Sequence, residues 1–279
     1  MSLRTKECRI RSSIVLSRAT WLFSREVTIP LATSLVAVGV WEALVHAGFL
    51  HAAFFPAPTS IARTLLGLAS GTEMWGHAAT TLGRLIASFL MALIAGTALG
   101  LAMGWWRVVR MAADPLARLL FPIPSIAFFP VVIFYLGLSE WGLLLTAAVT
   151  PFLLITVQAA AAVESLERTL LEAGRNYGAT GWRLFMRVIL PAALPRLFVG
   201  YRLAVGVGFI VTVAVEMVAA RRGLGGFLWH SWQILRIEEM YVGLLLIAVL
   251  GVLVTYGLEA VADRLMPWKL DLLRLKGQQ

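Results

Sequence analysis

The chain has one cysteine, Cys8, among 279 residues, so it has no internal disulfide and no thiolate-held metal. Lysine is nearly as scarce. Lys6, Lys269 and Lys276 lie near the two ends, and none completes the G-x-x-x-x-G-K frame that cradles nucleotide phosphates. His46, His51, His77 and His230 never fall at metal-ligand spacing, and neither H-E-x-x-H nor G-x-S-x-G occurs. These absences argue against an enzyme and predict that the chain itself binds no metal or cofactor.

Charge is sparse as well: 14% of residues are charged and 59% are hydrophobic. With a mean hydropathy of +0.83, this is more apolar surface than a soluble domain can bury. Apolar runs occupy residues 27–47, 79–105, 112–138, 141–163, 195–220 and 241–264. Each is long enough to cross about 30 Å of hydrocarbon, which takes about 20 helical residues. The expectation is an all-α integral membrane protein with about six transmembrane helices, solvated by lipid.

The net charge of +9 raises the question of nucleic acid. Binding to nucleic acid calls for one basic stripe, whereas membrane topology calls for alternation between loops. The basic residues alternate: eighteen fall in the N-terminal segment, the second and fourth loops and the tail. Four, Arg63, Arg221, Arg222 and Arg236, fall on the opposite side. Nucleic acid is therefore excluded, and the positive-inside rule predicts that both termini are cytoplasmic. Residues 1–26 form a cytoplasmic arm that either carries a surface-lying helix at 10–24 or is a disordered basic tail. Cys8 lacks a lipoprotein context, and the first apolar run begins too far in for an ordinary cleaved signal, so the N-terminus is expected to remain attached.

Ionisable groups inside apolar runs are costly and so invite explanation. Four stand out: Glu42, Arg84, Glu216 and Glu259. Arg84 is near an outer end and can snorkel, and Glu259 near the inner end is accounted for by water and Arg264. Glu216 either pairs with Arg221 or Arg222 or belongs to a substrate path.

Small residues recur every four positions, as Ala92, Gly96, Gly100 and Gly104 in the second run and as Gly200, Ala204, Gly208 and Thr212 in the fifth. Each series makes a smooth ridge that lets helix backbones approach in lipid. The ridges either pack the bundle or shape a translocation path. Pro122, Pro124 and Pro130 break up the third run, giving a kinked or broken helix that is expected to face the bundle interior, as a simple kink or as a gate.

Between the fourth and fifth runs lies "EAGRNYGATGWRLFMRVILPAALP", a polar interruption. Residues 164–177 have helical spacing of Leu166, Leu170 and Ala173, and Gly178 fits a left-handed helix end. Thr180 can cap a second helix that Pro191 limits. The product is a cytoplasmic helix-turn-helix elbow at about 164–191.

Glu172, Ala173, Gly174, Gly178, Val188, Leu190 and Pro191 resemble E-A-A-x-x-x-G-x(9)-I-x-L-P, the signature loop of ABC importer permeases. Gly174 stands in place of the second alanine and Val188 in place of isoleucine. Four further stretches resemble the nitrate, sulfonate and taurine branch in the expected order: "FFPAPTSIARTL", "TTLGRLIASFLMALIAGTALGLAMGW", "PIPSIAFFPVVIFYLGLSE" and "VAVEMVAARRGLGGFLW".

The resemblance implies a five-helix type I ABC importer permease core at 78–266, preceded by one N-terminal helix and outer linker at 27–77 and followed by a cytoplasmic tail at 267–279. It implies a homodimer in a bacterial-type cytoplasmic (inner) membrane, with two ABC ATPase subunits that use ATP and Mg, and an external substrate-binding protein. The elbow residues would couple to the ATPase, and Pro122, Pro124, Pro130 and Glu216 are candidates for the path or gate. Gly96, Gly100, Gly104, Gly200 and Gly208 are helix-packing candidates. The implied cargo is a small anion. A secondary transporter or a membrane assembly protein without an ATPase partner is the alternative.

Overall fold

The structure, a computed structural model, describes residues 25–265, all of whose regular elements are helical. The expected N-terminal arm, Cys8 and the tail lie outside the described residues. The chain divides into two compact units, Met1–Leu66 and Gly67–Gln279.

In the first unit, α1 (Arg25–His46) is apolar and exposed from Thr28 to Val40, with Trp41, Glu42 and Val45 half-buried, as suits a helix with lipid around most of it. Its one acidic group inside the apolar run has a local use. Glu42 accepts hydrogen bonds from the Thr59 backbone N–H (3.0 Å) and hydroxyl (2.7 Å), at the start of α2 (Pro58–Ala69), and lies 2.9 Å from His46 Nε2. It thereby satisfies a free donor at a helix N-terminus.

In the second unit, three long helices form the core: α3 (Thr72–Trp105), α6 (Glu140–Glu164) and α9 (Leu190–Ala219). α6 is the most enclosed, because the small-residue ridges of α3 and α9 both press on it. A Cβ placed on Gly100 would run into the Thr156 carbonyl oxygen and lie 2.6 Å from Ala159 Cβ. Gly96 and Gly104 face Ile155 and Val163 in the same way, while Gly200 faces Gln158 and Gly208 faces Pro151. Lipid offers no gain from excluding water between helices, so this close approach and its dispersion contacts hold the core together. The Thr97 and Tyr201 hydroxyls, 3.0 Å apart, add a link between α3 and α9.

The third apolar run is not one straight span. α4 (Arg107–Leu120) is followed by a 3-10 turn (Ser125–Phe128) and α5 (Phe129–Leu136), with a 95° bend between the two arms. Pro122 and Pro124 sit in the break and Pro130 in the first turn of α5, where a missing N–H costs least. Among the described residues, five helices are long and apolar enough to cross a membrane, or six if this bent pair is counted as one span.

After α6, α7 (Arg168–Asn176) and α8 (Gly181–Leu184) form the elbow. Pro191 does not end the second elbow helix as expected. The turn Phe185–Ile189 widens to π-helical geometry, with Leu190 N–H bonded to Phe185 O, and the chain runs on into α9 with Pro191 in its first turn. α10 (Leu224–Gln233) and α11 (Ile237–Leu265) complete the described part of the chain, and few residues of α11 are buried along its apolar length.

Candidate functional site

Polar side chains gather at the two ends of this core, with different chemistry at each. At one end the start of α3, the first turn of α6 and the last turn of α9 meet. Arg84, only 7% exposed, is the hub. Its guanidinium donates to Glu140 through Nε (2.9 Å) and Nη2 (2.7 Å), and to Glu216 Oε1 through Nη1 (2.9 Å). The same Nη1 donates to the Arg222 carbonyl (2.5 Å).

Glu216, 1% exposed, uses its second oxygen to accept from the Thr81 hydroxyl (2.8 Å) and the Gly225 N–H (3.0 Å). Thr81 in turn accepts from Leu224 N–H at 2.7 Å, and His77 Nδ1 accepts from Gly223 N–H at 3.1 Å. The turn between α9 and α10 is thus held by α3 through three backbone hydrogen bonds and by Glu216 through a fourth at the α10 N-terminus. Gly223 makes the turn possible with φ +113°, and an added Cβ there would collide with the Glu216 carboxylate.

Two expectations are overturned here. Arg84 does not snorkel, and Glu216 pairs with Arg84 rather than with Arg221 or Arg222. A buried carboxylate needs a partner as deeply placed as itself, and the two arginines after α9 lie on an exposed turn. The sequence carried a signal: Thr81 and Arg84 are three residues apart, on one helix face. Glu259 also differs from expectation, for it pairs across helices with Arg202 at 2.6 Å.

The proline segment turns its small contacts inward and its prolines outward. Ser125 and Phe129 are buried, Phe129 against Leu143 and Val215, whereas Pro122, Pro124 and Pro130 are exposed. The segment expected to face the bundle interior does so at Ser125 and Phe129, while its three prolines lie on the exposed side of this chain. Within the break, Ala127 N–H bonds to the Pro124 carbonyl, and the prolines, which lack a donor, lie on the open side.

The other end carries the elbow. Gly178 adopts φ +82° and lets α7 end, with its N–H bonded to Arg175 O and Ala179 N–H to Gly174 O. Thr180 occupies the position before α8 with extended geometry, but its side chain makes no capping bond. α7 has no buried residue; Glu172, Ala173 and Gly178 are exposed, as is Tyr177 at 93%.

Beneath α7, Leu184, Phe185 and Ile189 pack into an apolar cluster with Ala159, Val163 and Ala193, and Phe185 contacts Trp105 and Trp182 rings at 5.3 Å. Gly174 sits over this seat: a Cβ added there would lie 2.9 Å from Leu184 Cδ1 and 3.2 Å from Val188 Cγ2. The two positions that depart from the signature pattern thus adjoin one another, and small residues at both bring α7 close to the π-helical turn. Leu190 is half-buried beside this cluster and Pro191 is exposed. Arg110 of α4 and Glu164, the last residue of α6, pair at 2.7 Å at this end.

A buried ionic end, an exposed elbow and a glycine-packed core between them are joined by sequence likeness. The family model described as "binding-protein-dependent transport system inner membrane component" matches residues 88–268, from mid-α3 past the end of α11. The chain belongs to this family of ABC importer permeases. It is 31% identical over 253 residues to the taurine transport system permease protein TauC of Escherichia coli, covering 89% of this chain and 92% of that one.

It is also 24% identical to the putative aliphatic sulfonates transport permease protein SsuC of Bacillus subtilis, covering 84% and 85% of the two chains. To the nitrate import permease protein NrtB of Leptolyngbya laminosa it is 26% identical, covering 71% and 72%. Among solved structures, an inward-facing MetNI methionine ABC transporter chain matches with a TM-score of 0.57 at 20% identity, covering 71% of this permease and 95% of that chain. That likeness concerns the fold, and it agrees with the type I permease architecture. The family is one of transport permeases rather than of catalytic enzymes.

Proposed function

We propose that this permease forms the translocation path of an ATP-driven importer for a small anionic solute of the taurine, sulfonate or nitrate kind. The observation that carries this reading is the elbow: a short helix with no buried residue, seated on apolar contacts and followed by a left-handed glycine, in a chain without any nucleotide-binding loop. An exposed helix on a firm seat is suited to be gripped by another subunit. On this reading α7 docks on a separate ABC ATPase that uses ATP and Mg, two copies of the permease pair around a central path, and a substrate-binding protein delivers the solute outside.

The positive-inside distribution supports an elbow on the cytoplasmic side and an Arg84 cluster on the outer side. Alternating access follows. Closure of the ATPase pair moves the elbow, the glycine-packed core carries the movement, and the cavity between two copies changes the side it opens to. The test is co-purification of the chain with its ATPase, followed by reconstituted ATP hydrolysis and solute uptake with and without loaded binding protein. Hydrolysis that does not respond to the binding protein, together with no uptake, would sink the reading.

A further inference from the structure

Arg221 and Arg222 are exposed neighbours on the turn between α9 and α10, and neither has a carboxylate partner among the described residues. They are also two of the four basic residues on the face that the charge distribution leaves poor in positive charge. The turn beside them is tied to the core, because Arg222 O, Gly223 N–H, Leu224 N–H and Gly225 N–H are all bonded to Arg84, His77, Thr81 or Glu216. Both side chains line a cavity of about 430 Å³, within the usual range for small-molecule sites of about 300–1,000 Å³. A second cavity of about 460 Å³, whose lining has Glu73 as its carboxylate, also includes both arginines.

The walls of the first cavity have a definite chemistry. Arg84 and Glu140 line it but are bound to one another, so the guanidinium groups still open to a ligand there are those of Arg221 and Arg222. Ser139 Oγ accepts from Gly142 N–H at 3.3 Å, which leaves its hydroxyl proton available to a ligand. Phe129, Leu138 and Leu143 supply apolar surface beside these polar groups. Two guanidinium forks and a hydroxyl suit a planar or tetrahedral oxyanion, and the apolar wall suits a short hydrocarbon tail.

We infer that this cavity is a receiving site for the anionic head of the transported solute, with Arg221 and Arg222 as the binding residues and Arg84 as the residue that positions their turn. The ligand class is a small monoanionic oxyanion, a short-chain sulfonate above all. The site rests on the reading of the chain as an anion importer, and it names where on the permease the anion is first held.

The probe is sodium methanesulfonate added to the purified full-length chain in detergent, with sodium chloride at equal ionic strength as reference and thermal unfolding as readout. The wild type should show a saturable rise in midpoint with methanesulfonate over chloride. R221Q/R222Q should unfold at the wild-type temperature without probe, since only exposed side-chain atoms change, and should bind methanesulfonate at least about tenfold more weakly, as loss of a charge-assisted hydrogen bond requires. An equal saturable rise in the double variant overturns the inference, as does no rise over chloride in the wild type.

A second arm reconstitutes both proteins with the ATPase and binding protein. Retained stimulation of hydrolysis with an uptake KM raised about tenfold supports an anion site. Lost stimulation with unchanged methanesulfonate affinity overturns it in favour of a docking point for the binding protein. Failure of the importer reading registers separately, as absence of any ATPase partner, because the titration uses the permease alone.

Discussion

The two ends of the core are stabilised by opposite means. At the Arg84 end, Arg84 and Glu216 are taken out of solvent, Glu140 reaches in from the exposed start of α6, and the three are bonded across α3, α6, α9 and the start of α10. At the elbow end, α7 keeps its polar residues exposed and leans on Leu184 and Val188 through Gly174. Buried ion pairs need specific geometry and resist being opened one bond at a time, whereas apolar seats tolerate small sliding. The contrast suits a machine that fixes the relation of its helices at one end and is pushed at the other.

The largest expected effect comes from breaking the ionic end. Glu216→Ala leaves Arg84 half-paired in a buried site and frees the donors of Thr81 and Gly225, a loss on the order of 3–5 kcal/mol by analogy with other buried pairs. Thermal unfolding in detergent should show a sharply lowered midpoint or no folded yield. Wild-type stability would mean that the network does not hold the helices together. Gly100→Leu comes next. Its side chain has no space against Thr156 and Ala159, so α3 must move off α6, at a cost of about 1–3 kcal/mol or more. Wild-type yield and stability in this variant would place the ridge on a lipid-facing surface instead.

These two sites also show what was legible beforehand. A four-residue spacing of glycines is visible in one dimension, so both ridges were found, but which helix they press on is not. The elbow was legible because Gly178 and the 3.6-residue pattern are local signals. Its continuation through Pro191 was not, because a π-helical turn arises from packing rather than from composition. Arg84 and Glu216 are separated by 132 positions and meet only in the fold. The pairing of Glu216 with Arg221 or Arg222, one of the two readings that proximity in sequence offers, fails for the same reason: the α9–α10 turn leaves both arginines exposed.

A smaller effect is expected at Gly178. A valine there must adopt the left-handed region, which costs about 1–2 kcal/mol, and the angle between α7 and α8 relaxes. Gly178→Val should insert and remain folded, with a slightly lowered unfolding midpoint. Hydrolysis stimulated by the loaded binding protein should fall well below wild type. Full stimulation would show that the angle of the elbow does not matter to coupling.

The smallest effect on stability, and the sharpest comparison between the ends, comes from Glu172→Arg. Glu172 is exposed on α7 and makes no ion pair among the described residues, so reversing its charge should alter stability by less than about 0.5 kcal/mol. Folding therefore reports nothing, and any deficit must come from a partner. If α7 is gripped by an ATPase, the added positive charge meets whatever opposed the carboxylate, and binding of that subunit weakens while the Arg84 end stays intact. The measurement pairs the unfolding midpoint with ATPase binding and stimulated hydrolysis in the same preparation. An unchanged midpoint with lost stimulation locates coupling on the exposed face of α7. Wild-type values for midpoint, ATPase binding and hydrolysis would make Glu172 a solvated side chain on a connecting loop, and the difference between the two ends would then be one of stability alone.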